Sequence, residues 1–459
     1  MDSKGNSLFF LRAEGHNDVL SVQNLLSKAN SLAKTFQTGN GIAFIDEAIA
    51  LDRRVLSLCR PSHPMQSVVL HQLASHLSSR WVQCGGMDDI NQAIAYEREA
   101  LALPRSGNVD WLTSLSNLAL HLNGRYKELG DTEDIEEAIA LEREALALRP
   151  PGHPDRSMSL INLAQHLSAR YDELGELGDV IEAISLDREA LILSPTGHRY
   201  RSRSLDRLAC DLVKRFSQLG RIDDIHEAID LSRDALALCR SGHPNRASML
   251  NNLALHLSAR YDRLGRADDL DESIGLSRSA LALCPPGNAL RARALDSLAS
   301  QLATRYDELR ETNDLDEAIE LARDSLALHP PGHPELPMSL HNLALCISAK
   351  YQQSRWIVDL NEVFGLSQSA LALCPPGNPN RSTVLNSLAS HFYTRFGHMQ
   401  DIGDLNEAIK HSRSALALRP PGHPGRSTTL HDLVDYLSSR CEELGNINDL
   451  NEVDSLCRG

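Results

Sequence analysis

The sequence predicts an all-α solenoid of about nine to ten helix-turn-helix units, and three observations predict it. The text returns every 45 residues, with the loop glycine at Gly107, Gly152, Gly197, Gly242, Gly287, Gly332, Gly377 and Gly422, and Ser62 in the phase before them. Each unit holds two apolar-periodic runs, 157–174 and 179–193 in the unit of Gly152, parted by Gly175 and closed by Pro195. Apolar content is 42% but aromatic content only 4%, so the core is Leu, Ala and Ile, which suits helix-on-helix packing. Self-similarity at a fixed period is the signature of stacked repeats, in which each unit touches only its neighbours. A chain of 459 residues then reads as one array and not as separate domains.

The chain opens with an N-terminal extension, 1–16, and the array is expected over 17–459 with its last repeat cut short. The half-unit at 17–39 is degenerate. Leu25, Ala29, Leu32 and Phe36 keep the apolar positions, while Lys28 stands where later copies carry Leu. A terminal unit lacks an outer neighbour, so drift toward polarity is expected there.

In the first helix of each unit, Leu160, Leu163, Ala164, Leu167 and Tyr171 are spaced by 3, 1, 3 and 4. That spacing puts all five on one helical stripe. The aromatic recurs as Trp81, Tyr126, Phe216, Tyr261, Tyr306, Tyr351 and Phe396. The second helix is expected to open on a capping box, Asp179 with Glu182, Asp224 with Glu227 and Asp314 with Glu317, each side chain satisfying an open backbone donor. Ala183, Ile184, Leu186, Ala190, Leu191 and Leu193 carry its apolar face, and proline and glycine end it. The Ala164 and Ala190 columns mark close helix approach.

The set Asn162-Leu163-Ala164, Leu167, Gly175, Ala183, Ala190 and Pro195 resembles the tetratricopeptide repeat, over nearly the whole chain. The 45-residue unit exceeds that family's usual 34, with extra residues in the first helix, the inter-helix turn and the Pro-Gly-His-Pro loop. More narrowly, the text is similar to repeat arrays of fungal tetratricopeptide proteins, many of which carry a C-terminal CHAT (caspase-like) domain. This chain lacks that domain and its His/Cys dyad. The resemblance implies a right-handed superhelix whose concave face, lined by first helices, holds an extended partner peptide. It therefore implies a non-catalytic protein- or peptide-binding scaffold, with the regulatory arm of a CHAT-type protease or other effector as the alternative.

On that face the matching positions are Asn117, Asn162, Asn252 and Asn342, whose amides can both donate to and accept from a peptide backbone. Bonding to the neighbouring helix is the competing reading. The columns of residues 161 and 165 vary within an otherwise uniform text, as a partner-reading surface would; Asn251, His341 and Gln165 belong to them. Histidine recurs one turn on at His121, His166 and His256, with Asp211, Gln301 and Cys346 interrupting the row. Metal ligation by that row is disfavoured, because stacked helices sit about 8–10 Å apart. The loop histidines exchange with Asn108, Asn288 and Asn378, which points to turn stabilisation. The basic row of Arg170 and its equivalents is expected to pair with carboxylates of its own unit. The second-helix row of Arg98, Arg143, Arg188, Arg233, Arg278 and Arg323 reads as a solvated outer face.

A net charge of −15 argues against a nucleic-acid or anionic membrane partner. No stretch of 18 apolar residues and no signal-peptide core is encoded, and nine cysteines without a CxxC pair fit a cytoplasmic, reducing setting. No phosphate loop, nucleophile elbow or His-Glu-x-x-His helix is present. No enzymatic activity, cofactor or metal is expected.

Overall fold

A computed structural model describes residues 22–36, 41–59, 63, 65–104, 111–198, 200–243, 245–288, 290–310, 312–329, 333, 335–354, 357–376, 378, 380–421, 423 and 425–458. The N-terminal extension, Ser62, Gly107, Asn108, Gly332, Gly377 and Gly422 lie outside them, as does the side chain of Tyr351.

Every described regular element is a helix. Helix α1 covers 22–36, and α2 (Ile42–Leu58) completes the first pair. The remaining pairs are α3 (Gln66–Cys84) with α4 (Met87–Ala102), α5 (Trp111–Leu129) with α6 (Thr132–Ala147), α7 (Arg156–Leu174) with α8 (Leu177–Ile192), and α9 (Arg201–Leu219) with α10 (Ile222–Leu238). They continue as α11 (Arg246–Leu264) with α12 (Ala267–Ala282), α13 (Arg291–Leu309) with α14 (Thr312–Ala327), and α15 (Leu336–Ser354) with α16 (Ile357–Ala372). The last two are α17 (Arg381–Met399) with α18 (Ile402–Ala417) and α19 (Arg426–Leu444) with α20 (Ile447–Arg458). Helices α2, α3 and α4 pack in succession, and from α7 to α20 each helix packs on the next, so the predicted helix-pair array is the observed one there. Two compact units divide the chain. One comprises Met1–Arg125, Glu133–Arg149 and Pro286–Ala289, the other Tyr126–Thr132, Pro150–Pro285 and Leu290–Gly459.

The predicted stripe is the core. Leu160, Ala164, Leu167 and Tyr171 are buried, as are Ala183, Ile184 and Ala190 of the facing helix. Where Trp81 replaces the usual Tyr or Phe, the next unit supplies Gly124, at which a Cβ would meet the indole at 2.9 Å. Helices α7, α9, α11 and α19 exit through a left-handed glycine: Gly175 (φ 69°), Gly220 (65°), Gly265 (63°) and Gly445 (66°). Arg310 and Gln400 occupy the same conformation at φ 56° and 55°, which costs a side-chain-bearing residue about 1–2 kcal/mol.

The capping box is not formed as expected. Helix α8 starts at Leu177, two residues before Asp179, and its N-cap Glu176 makes no side-chain cap bond; α4, α10 and α12 likewise have non-bonding caps at Gly86, Arg221 and Arg266. The aspartate therefore sits in the first turn, favourable for a carboxylate at the positive end of the helix, and the preceding helix binds it instead. Arg80, Arg125, Arg170, Arg215, Arg260, Arg305 and Arg440 each grip the aspartate nine residues on, with Nε–Oδ2 of 2.7–2.9 Å and Nη2–Oδ1 of 2.6–2.7 Å. Arg395 holds Asp404 in the same way. Such two-pronged, charge-assisted contacts are geometrically demanding and fix the angle between the helices of a pair. The basic row is thus paired internally. Helix α18 carries a side-chain cap as well, Asp401 accepting from the Gly403 amide at 2.8 Å, and so does α20, where Asn446 Oδ1 accepts from the Asn448 amide at 3.1 Å.

The loops have their own fastener. His63, His153, His198, His243, His333 and His423 each accept through Nδ1 the backbone N–H two residues on, at 3.1–3.3 Å. Asn378 Oδ1 does the same at 2.9 Å, which explains the His/Asn exchange. Behind it, an arginine at the start of the next helix donates to the carbonyl ending the previous one: Arg201 to Ser194 at 2.8 Å, Arg291 to Cys284 at 2.6 Å, and Arg246, Arg381 and Arg426 to their equivalents. That bond satisfies a carbonyl a helix terminus leaves open.

Candidate functional site

The candidate positions fall into three environments. His121, His166 and His256 are buried between helices, 7%, 0% and 5% exposed, and do not offer a side chain to an open surface. The reason is register. This column faces the second helix of the preceding unit, 24 residues earlier. Asp52 meets His76 at 2.6 Å, Ser232 meets His256 at 2.9 Å and Ser367 meets His391 at 3.0 Å. Where the column holds Cys346, the facing residue is Ala322, and both are buried in one apolar cluster. Burial pushes His121 and His256 down to about 4 and His166 to about 3, so all three are neutral at pH 7.

The asparagines mostly serve the stack. Asn252 Nδ2 donates to both oxygens of Asp206 in the previous first helix at 3.0 and 3.1 Å. Asn117 approaches the ring nitrogens of His71 at 3.3 Å, and Asn386 donates to Asp432 at 3.0 Å. The 161 and 162 columns thus knit one first helix to the next. Asn162, Asn251 and His341 are buried, and the Asn162 Oδ1 and both polar atoms of the Asn251 amide find no hydrogen-bond partner among the described residues. Gln165 is half-buried.

Asn342 is different. It lines a cavity of about 600 Å³ inside the second unit, walled by first helices: Tyr126, Lys127 and Glu128 of α5, Ala169, Asp172 and Glu173 of α7, Leu255 of α11, Arg293, Asp296, Ser297 and Ser300 of α13, and Met338 of α15, with Glu335 and Asn380 from the loops. Asp296, Ser297, Leu255 and Ser300 belong to the same variable columns as Asn251, Asn342 and Gln165. Of the candidate asparagines, Asn342 lines this cavity, and the other units contribute Leu255, Asp296, Ser297 and Ser300 from those columns. No local signal marks which copies of a column converge, since that depends on how the helix pairs turn relative to one another. The rim is closed by Asn378, whose Nδ2 donates to the Glu128 carbonyl at 3.1 Å.

Five carboxylates and two cations share this wall. Arg293 Nη2 binds Glu335 at 3.2 Å. Burial, with the charge of Glu335 added, pushes Glu128 up to about 7; burial, with Asp172 added, does the same to Glu173. The cavity can therefore gain negative charge near neutral pH.

The outer face is built differently. Arg98, Arg188, Arg233, Arg278 and Arg323 reach 39 residues ahead to Glu137, Glu227, Glu272, Glu317 and Glu362 at 2.6–3.1 Å. They are solvated, as expected, and also bridge successive units, which the period alone does not reveal.

Stacked antiparallel helix pairs carrying the Asn-Leu-Ala, Gly and Ala positions define a repeat protein with a tetratricopeptide-like fold. Solved structures with related folds include the nearly identical tetratricopeptide-like repeats of a Podospora anserina kinesin light chain, at 21% identity over 47% of this chain and 97% of that one, with a TM-score of 0.35. Human IFIT1, as a dimer with m7Gppp-AAAA, aligns over 90% of this chain and 91% of its own at 14% identity and a TM-score of 0.45. A Rap protein in complex with Competence and Sporulation Factor aligns over 87% and 99% at 14% identity and 0.46. These likenesses concern the fold. No family model matches the sequence, and no curated protein matches it. Among the described residues no helix is long and apolar enough to cross a membrane.

Proposed function

We propose that the chain is a non-catalytic scaffold that binds an extended protein segment in the first-helix cavity of the second unit, and that the segment carries lysine or arginine. The observation that carries this reading is the cavity itself: about 600 Å³, walled by columns that vary from unit to unit and holding five carboxylates against Lys127 and Arg293. A cavity of that size accepts one or two side chains, and Asn342 and Ser297 supply neutral hydrogen-bonding groups for a peptide backbone. The chain's net charge of −15 adds long-range attraction for a basic partner and repulsion for nucleic acid.

The reading is tested by fluorescence anisotropy with three labelled peptide pools of matched length: Lys/Arg-rich, neutral and Asp/Glu-rich. The basic pool should bind, and its affinity should rise from pH 6 to pH 8 as Glu128 and Glu173, held up at about 7, ionise. Glu128→Gln with Glu173→Gln should weaken it about 10-fold or more and abolish the pH dependence. Ser300→Trp, which fills the wall, should block it. Failure of all three pools to bind, or binding indifferent to these substitutions, overturns the proposal.

A further inference from the structure

One loop of the array departs from the others. At the end of α14 stands His329, where equivalent positions hold Cys59, Arg149, Ser194, Cys239, Cys284, Cys374 and Arg419. Four residues on is the loop histidine His333, and two further is Glu335, where other units carry Met65, Asp155, Tyr200, Asn245, Leu290, Asn380 or Gly425. No other unit with a described loop combines two imidazoles and a carboxylate at these three places. Here each residue brings one ligand atom within 4.8 Å of the other two.

The surroundings orient these atoms. Ser339 Oγ donates to Asp296 Oδ2 at 3.2 Å and lies 3.0 Å from His329 Nδ1. A hydroxyl has one proton, so with that proton on Asp296 the Nδ1–H of His329 donates to Ser339. That leaves the Nε2 lone pair on the side of the ring that meets Glu335. A carboxylate–hydroxyl–imidazole chain of this kind is how proteins fix the tautomer of a metal-binding histidine. On the other side, Arg293 takes Glu335 Oε1 at 3.2 Å and leaves Oε2 facing His329 Nε2 at 3.6 Å. That separation is too long for a hydrogen bond. It matches the edge of a tetrahedron around a zinc ion with bonds of about 2.0–2.2 Å, roughly 3.3–3.6 Å. The two imidazole rings lie 4.3 Å apart between centroids, close enough to share one centre.

We propose that His329, His333 and Glu335 form a divalent transition-metal site of the zinc type, with Ser339, Asp296 and Arg293 orienting the ligands. Two neutral imidazoles and one carboxylate suit zinc or cobalt and not calcium or magnesium, which take oxygen ligands. Three protein ligands leave a fourth position for water or for a partner's side chain. Glu335 and Asp296 also line the first-helix cavity, so the ion would sit at its wall. Binding would draw His333 Nδ1 away from the Glu335 amide it accepts at 3.1 Å, coupling the ion to the loop. The site stands whether or not the cavity takes a basic peptide.

The test is titration of the reduced full-length chain with Co²⁺ and Zn²⁺. The expected result is one equivalent bound, with visible Co²⁺ absorption of tetrahedral type that Zn²⁺ quenches. His333→Asn reproduces the loop residue of Asn378, so it should keep the metal-free melting temperature and lose at least 10-fold in affinity. Glu335→Gln should lose at least as much, and Ser339→Ala about 10-fold. Absence of stoichiometric binding, or wild-type affinity in both His333→Asn and Glu335→Gln, overturns the site. A sulfur-to-cobalt charge-transfer band would assign the metal to cysteines and overturn it equally.

Discussion

Two junctions between neighbouring units occupy the same register and use different chemistry. At one, Ser232 of α10 meets His256 of α11 at 2.9 Å, a neutral pair in which each group has what it needs. At the other, Asp187 of α8 faces Asp211 of α9, and both are fully buried. Asp211 takes the Arg207 guanidinium at 3.2 Å and the Ser168 hydroxyl, while burial, reinforced by the charge on Asp211, drives the Asp187 carboxyl well above its usual range. Both junctions stack the same apolar columns on either side. The polar slot therefore tolerates exchange because the leucines and alanines around it fix the geometry, provided each buried polar group finds a partner or gives up its charge.

The largest test of that comparison is acid. His256 and His121 are held down at about 4, and His166 and His391 at about 3, all by burial. A depressed histidine binds its proton in the unfolded chain first, so stability present above about pH 6.5 is lost as pH falls toward 4, at up to about 1.4 kcal/mol per pH unit for each group. Urea titrations at pH 7.5, 6 and 5 should show a steep decline; a flat profile would mean these histidines are accessible. Next comes Asp211→Ala, which strands Arg207 and should cost about 3–5 kcal/mol, read from the shift in denaturation midpoint. Asp187→Ser installs the residue found at Ser232 and should stabilise the chain by about 1–3 kcal/mol at pH 7. The wild-type carboxyl has a raised folded pKa, so its contribution is lost as pH rises, and the gain from serine should grow from pH 5 to pH 8. An unchanged or lower midpoint would show that Asp187 is satisfied as it stands. The smallest effect is expected on the outer face, where Arg233 and Glu272 are 47% and 42% exposed. Arg233→Ala should cost less than about 1 kcal/mol, and that cost should shrink further in 0.5 M salt.

Particular residues show how far the sequence could be read. The Leu160-to-Tyr171 stripe and the Ala183-to-Ala190 face were legible because burial repeats at the helical period, although Trp81, Leu340, Leu430 and Val434 are only half-buried. The start of the second helix was misread at Asp179. An Asp-x-x-Glu string is compatible both with a capping box and with a first-turn carboxylate gripped from outside, and only the position of Arg170 separates the two. The recurring histidines were legible as a column but not as an interior one, because their partners lie 24 residues back on another helix. Asn117, Asn162 and Asn252 share a column with Asn342, yet only Asn342 lines the cavity.

Periodicity by itself determined the helices, their pairing and their order, because each of those depends on contacts within one unit or with the next, and the sequence states those contacts in every copy. Tertiary structure alone decided which copies of a column meet across the fold. It brought Glu128 to Asn378, 250 residues away. A meeting at that separation depends on how every intervening helix pair is stacked, and no single unit encodes it.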